Sequence, residues 1–262
     1  MSRTAYCLIR RDPVYRREAF TRGLAACGFN VATPDSFAPP NTCRAGDVMV
    51  IWNRYGIWHD AAVGFEKSGG TVVVAENAYL ANDRADRRRY ALALHAHNGR
   101  GECRPAGPER WDALKVELAP WRATGSHVLV CPNRPFGTPG GVMTADWAER
   151  TSRLLAKLTD RPVRIRLHPG NGPSKKPFAA DLEDAWAVVI WSSSVGCEAL
   201  IKGVPVFCLA PWWVAKSATI DDVSRINAPP PRDRLAAFQR LAWAQWHVEE
   251  IERGDAFQHL LH

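Results

Sequence analysis

Residues 184–209 read DAWAVVIWSSSVGCEALIKGVPVFCL, and this stretch decides the fold. The apolar run from Asp184 to Trp191 predicts a buried strand. Three serines, Ser192, Ser193 and Ser194, then lead into a helix over 195–202. Gly203 ends that helix, Pro205 blocks its continuation, and 206–209 starts the next strand. Strand, hydroxyl-rich turn, helix and strand in this order make a unit of a parallel sheet.

Working outward, the same pattern recurs. Upstream, 127–131 reads as a strand and 132–141 as a Pro- and Gly-rich loop. A helix is expected over 144–159 with Thr144 as its N-cap, followed by a strand over 162–167. Towards the N-terminus, strands are expected at 5–10, 29–33, 47–52 and 71–75. Helices fall at 14–27, ended by Gly28, and at 58–68. Residues 76–121 carry no clear period and predict loops and short helices. A last helix is expected over 232–253, with Trp243 and Trp246 on one packed face. The result is an α/β chain of two Rossmann-like lobes with parallel sheets, 1–123 and 124–262, the C-terminal helix packing back across them.

Two segments carry chemistry. A helix start preceded by Ser192–Ser194 offers free backbone N–H groups, a favourable dipole and hydroxyl donors to an anion. Glu198 lies one turn further in. A capping box needs its acid three residues after the capping serine, and Val195 holds that relation to Glu198. The carboxylate suits ribose hydroxyls, and a solvated glutamate on an ordinary strand–loop–helix unit fits as well. In the second segment, alternation puts Val163, Ile165 and Leu167 on one face and Arg164, Arg166 and His168 on the other. Residues 161–180 hold five basic side chains and no acidic one. Arginine and histidine at the end of a strand suit a diphosphate, while a sheet-edge face with solvated arginines is the plainer alternative.

His168-Pro169 after a strand, then Ser-Ser-Ser-Val-Gly-Cys-Glu-Ala-Leu over 192–200 and Gly-Val-Pro-Val over 203–206, resembles the nucleotide-binding lobe of GT-B glycosyltransferases. The likeness is greatest to the capsule-polysaccharide and Kdo-transferase-like branch and covers about 127–210. It implies that His168 and Ser192–Ser194 hold the donor phosphates and Glu198 the ribose; Arg166 joins the donor side from its place at the strand end. The expected co-substrate is a nucleotide-sugar, a UDP-sugar first, with no further cofactor and no metal. Trp52-Asn53-Arg54-Tyr55 and Val74–Leu80 resemble small phage-encoded glycosyltransferase-like proteins, some of which modify hydroxymethylated pyrimidines in DNA. That likeness implies DNA as acceptor, with Trp52, Arg54, Asn77 and Tyr79 on the acceptor side.

An inverting transfer needs a general base near the acceptor hydroxyl. Glu76, at the end of a strand where α/β clefts lie, is the first choice and Asp12 the second. There is no Asp-x-Asp triplet, so a metal-dependent GT-A arrangement has no support. Most of the eleven tryptophans suit core packing; Trp212-Trp213 and Trp52 also suit stacking on a base or sugar. The run Arg84–Arg89 fits either a DNA-phosphate grip or a solvated face.

Composition bounds these readings. The chain has 262 residues, a formal charge of +7 and seven cysteines without a CxxC pair. Reduced core thiols are expected in place of disulfides or zinc. No signal-peptide pattern or membrane span is visible, which predicts a soluble cytoplasmic protein, in the host cytoplasm if phage-encoded. The positive surplus favours an anionic partner without naming one. Three other activities remain open: a saccharide- or lipid-acceptor transferase, a non-catalytic nucleic-acid-binding protein, and a nucleotide-sugar epimerase using Asp12, Glu76 and His168.

Overall fold

The computed structural model describes residues 3–34, 38–81, 88–134, 137–168 and 177–262. The chain divides into two compact units. The first comprises Met1–Gly107, Gly137–Pro139 and Arg240–His262; the second comprises Pro108–Phe136 and Gly140–Gln239. Arg240–His262 thus belongs with the first unit, where the sequence pattern assigned it to the second lobe.

The first unit opens with β1 (Thr4–Cys7), α1 (Val14–Ala26), β2 (Asn30–Ala32), β3 (Val48–Trp52), α2 (Ile57–Lys67), β4 (Thr71–Asn77) and β5 (Arg89–Leu94). β1 pairs in parallel with β2 and β3, and β3 with β4. Along β3, Val48 and Val50 enter one core with Phe20, Leu24 and Phe257. Met49 and Ile51 enter the other with Phe65. Alternation divides the residues, and a parallel sheet covered on both faces requires the unbroken apolar run seen here. Gly28 takes φ +81° just past α1, the left-handed conformation that ends a helix. β5, unforeseen in the loose 76–121 region, returns antiparallel to β4 and sets Tyr90 opposite Asn77.

The second unit holds α3 (Glu109–Ala113), β6 (His127–Cys131), α4 (Trp147–Leu155), β7 (Val163–Ile165), α5 (Phe178–Leu182), β8 (Ala185–Ile190), α6 (Val195–Ile201), β9 (Val206–Cys208) and the start of α7 (Arg234–Ala242), which runs on into the first unit. Its sheet is parallel throughout, in the order β7-β6-β8-β9. Val128, Val130, Ala187, Val189 and Phe207 form its core with Trp147 and Leu155 of α4. α4 begins later than expected. Asp146 stands at its N-cap without a side-chain cap bond, and the Thr144 hydroxyl accepts from Arg150 at 3.2 Å.

The single helix expected over 232–253 is three elements. α7 ends at Ala242; β10 (Gln245–His247) and α8 (Val248–Arg253) follow, and α9 (Asp255–Leu261) closes the chain. His247 forces the break. Its side chain accepts from the Glu249 N–H, and Glu250 accepts from the His247 N–H at 2.7 Å, so a new helix starts there. Trp243 and Trp246 therefore share no helix face, although their rings meet edge-on at 6.3 Å. β10 pairs antiparallel with β5 and completes a six-stranded sheet, β10-β5-β4-β3-β1-β2. α8 lies so close to α1 that a Cβ on Gly23 would sit 1.8 Å from the Ile251 carbonyl oxygen.

All seven cysteines are free thiols. Burial pushes Cys7 and Cys208 up to about 11 and Cys131 up to about 12. Among the described residues, no helix is long and apolar enough to cross a membrane.

Candidate functional site

Because β1, β3 and β4 run parallel, their carboxyl ends share one edge of the first sheet. Asp12 follows β1, Trp52 ends β3, and Glu76 and Asn77 end β4. Glu76 is the most perturbed acid here. Burial raises its carboxyl from an ordinary 4.5 to about 7, against hydrogen bonds that favour the ion. Those bonds reach Oε1 from the Tyr79 hydroxyl and from the Asn98 N–H, the latter at 2.6 Å. Gln245, 2% exposed on β10, fixes the Tyr79 turn. Its Oε1 accepts from the N–H groups of Tyr79 and Leu80 at 3.2 and 3.0 Å, and its Nε2 donates to the Leu80 carbonyl at 2.8 Å.

On the other face of the sheet, where Asn77 lies opposite Tyr90, stands an aromatic and cationic wall. The Arg16 guanidinium sits 4.5 Å from the Trp52 ring centroid, and Trp52 meets Tyr90 edge-on at 5.9 Å. Arg16 also donates to the Asp12 carbonyl at 2.5 Å. Asp12 itself is exposed, as is Asn77. Arg88 stacks its guanidinium 5.5 Å from the Tyr15 ring; Arg84 and Arg87 lie outside the described residues.

Arg54 departs from its expected acceptor role. It is 7% exposed, and two of its nitrogens grip the two Glu66 oxygens at 2.7 Å each. It also donates to the His95 carbonyl and to His59 Nδ1, so its guanidinium faces protein on several sides. Burial opposes ionisation of Glu66, but hydrogen bonds from Arg54 and His95 outweigh it and hold that carboxyl below its usual range. The knot reaches the site indirectly. The Arg54 N–H donates to His97 Nδ1 at 3.3 Å, next in sequence to the Asn98 that holds Glu76. Burial, with help from Arg100 and Arg54, lowers His97 to about 4, so it stays neutral.

In the second unit the carboxyl ends of β6, β7 and β8 share an edge. The loops after β6 and β8 are laced together. Asn133 Nδ2 donates to Ser192 Oγ at 3.1 Å, and the Ser192 N–H donates to Asn133 Oδ1 at 3.0 Å. Ser192 and Ser193 are buried; Ser194, at the start of α6, is exposed. His168 stands at the end of the segment after β7. Burial and then the nearby Arg134 charge hold it below its usual value. Asn133, Arg134, His168 and the serines thus border the same edge. Asn133 and Arg134 sit in a loop whose sequence reads only as Pro- and Gly-rich; two polar residues close behind an apolar strand are the signal that marks them.

Other expectations shift. Val163 packs against the core and Arg164 is exposed, but from the end of the strand onward Ile165 and Leu167 are 40% and 52% exposed, whereas Arg166 and His168 are half-buried. β7 stops at Ile165, and the Arg166 guanidinium pairs with Asp181 and lies 5.6 Å from the Phe178 ring. That partner on α5 takes Arg166 away from the phosphate role expected of it. Glu198 is exposed and lines a groove with Arg122, Glu183 and Lys202. Trp213 is core: a Cβ on Gly196 would meet its ring at 2.7 Å. Pro169, Gly170, Lys175 and Lys176 lie outside the described residues. Among the described residues no cluster of three His, Cys, Asp or Glu side chains is placed to hold a metal ion.

No protein-family model matches the chain, and no curated protein matches it. Solved structures do. KpsC of Thermosulfurimonas dismutans, as the β Kdo 2,7 transferase, aligns over 94% of this chain and 92% of that chain at 14% identity, with a TM-score of 0.54. The KpsC β Kdo 2,4 transferase aligns over 93% and 90% at 13% identity, with a TM-score of 0.57. These neighbours do not show the likeness to phage DNA-base transferases. At such identities what is shared is the fold: a GT-B-like pair of Rossmann-like units.

Proposed function

We propose that the chain is a glycosyltransferase that moves a sugar from a nucleotide-sugar to a hydroxyl of a saccharide acceptor. The observation that carries this reading is Glu76: a carboxyl with a pKa of about 7 at a sheet edge, held by Tyr79 and Asn98, in a fold shared with sugar transferases. A base is most effective when its pKa lies near the working pH. Glu76 takes the proton of the acceptor hydroxyl as that oxygen bonds to the anomeric carbon. The bond from this carbon to the phosphate oxygen breaks, and the nucleotide leaves with the electron pair. Arg134, His168 and the Ser192–Ser194 turn supply the positive charge and hydrogen-bond donors for the leaving phosphate. Glu198 takes the ribose, and Asp12 is the second choice of base. Trp52, Asn77 and Tyr79 remain on the acceptor side.

A saccharide acceptor is favoured over DNA because both solved neighbours are named for transfer to numbered sugar positions. The donor is sought among nucleoside mono- and diphosphate sugars, UDP-sugars first, by thermal shift and nucleotide release. Glu76→Gln is expected to lower turnover by about 10²- to 10⁴-fold while donor affinity is unchanged. Normal turnover in that variant would remove Glu76 as the base.

A further inference from the structure

Beside the Glu76 edge, and used by none of the chemistry above, lies a cavity of about 310 Å³. Arg10 and Arg11, from the loop after β1, and Arg17, from α1, line it with Thr33 and Pro34 from the end of β2. The floor is the buried pair Leu8 and Ile9. Arg10 and Arg11 are exposed. Arg17 donates to the Thr33 carbonyl at 3.4 Å, and among the described residues no carboxylate pairs with any of the three. Three arginines lining one concavity give it a positive field that favours an anion. Their planar forks match a carboxylate or a phosphate.

We infer that this cavity binds an anionic group of the acceptor, a carboxylate or a phosphate carried on the sugar. The inference rests on the transferase reading for the word acceptor, not for the anion. β1 and β2 flank the cavity, and β4 lies two strands from β1 in the same sheet. At about 4.8 Å per strand, the cavity sits roughly 12 Å along the edge from Glu76. A short saccharide reaches both, with its charged group among the arginines and a hydroxyl at the carboxylate. A concave site of this size accepts one charged group. A nucleic-acid backbone would need cations spread along a face.

The test is binding to the full chain without donor, followed by calorimetry. Methyl glucuronide and methyl glucoside 6-phosphate carry the two anions; methyl glucoside is the neutral control, and a short DNA duplex is the polyanion. At least one charged glycoside is expected to bind tenfold or more tightly than the neutral one, and which one does so separates carboxylate from phosphate. Arg10→Gln with Arg11→Gln, both exposed, is expected to abolish that preference without changing Tm. Equal affinity for charged and neutral glycosides, or a preference untouched in the double variant, overturns the site. So does a duplex that binds through the same arginines and displaces the glycoside. Charged-glycoside binding in a chain that consumes no nucleotide-sugar keeps the anion site and removes the transferase reading instead.

Discussion

At the scale of the residue, Glu76 ties stability to pH. Its carboxyl has an ordinary pKa of 4.5 in the unfolded chain and about 7 in the fold. The folded state therefore holds the proton more tightly. The stabilisation is complete below pH 4.5 and is lost as pH rises through 7, a change of roughly 3 kcal/mol. Denaturant melts between pH 4 and 8 should show that decline, and Glu76→Gln, which mimics the protonated form, should flatten it. Tyr79 acts on the same carboxyl in the opposite sense, because its hydroxyl favours the ion. Tyr79→Phe is thus expected to move the acid limb of kcat/KM upward from about pH 7, with activity recovered in alkali; a fixed limb would assign the limb to another group. Glu76 is legible from sequence because it ends an unbroken apolar run. Its partners are not: Asn98 lies 22 residues away and Gln245 lies 166 residues from the Tyr79 it anchors. Only tertiary pairing brings them together. Arg54 misleads for the same reason. A lone arginine after a strand reads as a ligand until Glu66 is found against it.

At the scale of the element, the contact of α1 with α8 depends on one missing side chain. Gly23→Ala would drive a methyl group into the Ile251 carbonyl, and α8 would have to move. Overpacking of this kind costs about 1–3 kcal/mol. Thermal melts should show the loss, and a wild-type Tm would mean that the helices part freely. The regular βαβ units were readable because apolar runs, glycine stops and prolines agree with one another. β5 and β10 were not. Arg89–Leu94 emerges from an arginine-rich stretch, and Gln245–His247 lies in a sequence whose tryptophan spacing imitates a helix. Each is made a strand by its neighbour in the sheet, an influence that no local window contains.

At the scale of the whole molecule, the first unit is assembled from both ends of the chain. Residues 240–262 supply its outer strand and two helices, and Val248, Ile251, Phe257 and Leu260 enter its core. Removal of 240–262 is expected to leave that unit unfolded, seen as loss of soluble protein or of cooperative melting. A truncated chain with a native-like transition would show that the tail is dispensable. The edge of β5 that β10 covers has a further consequence, in time. At roughly 5–20 residues per second, the ribosome needs roughly 8–30 s after β5 is made to reach β10. Throughout that interval the unit's apolar segments wait without the residues that complete their core and pair β5, and such uncovered segments are prone to associate with another chain. Its exposure to chaperones and to its own siblings is therefore set by the pace of synthesis, before any property of the finished fold comes into play.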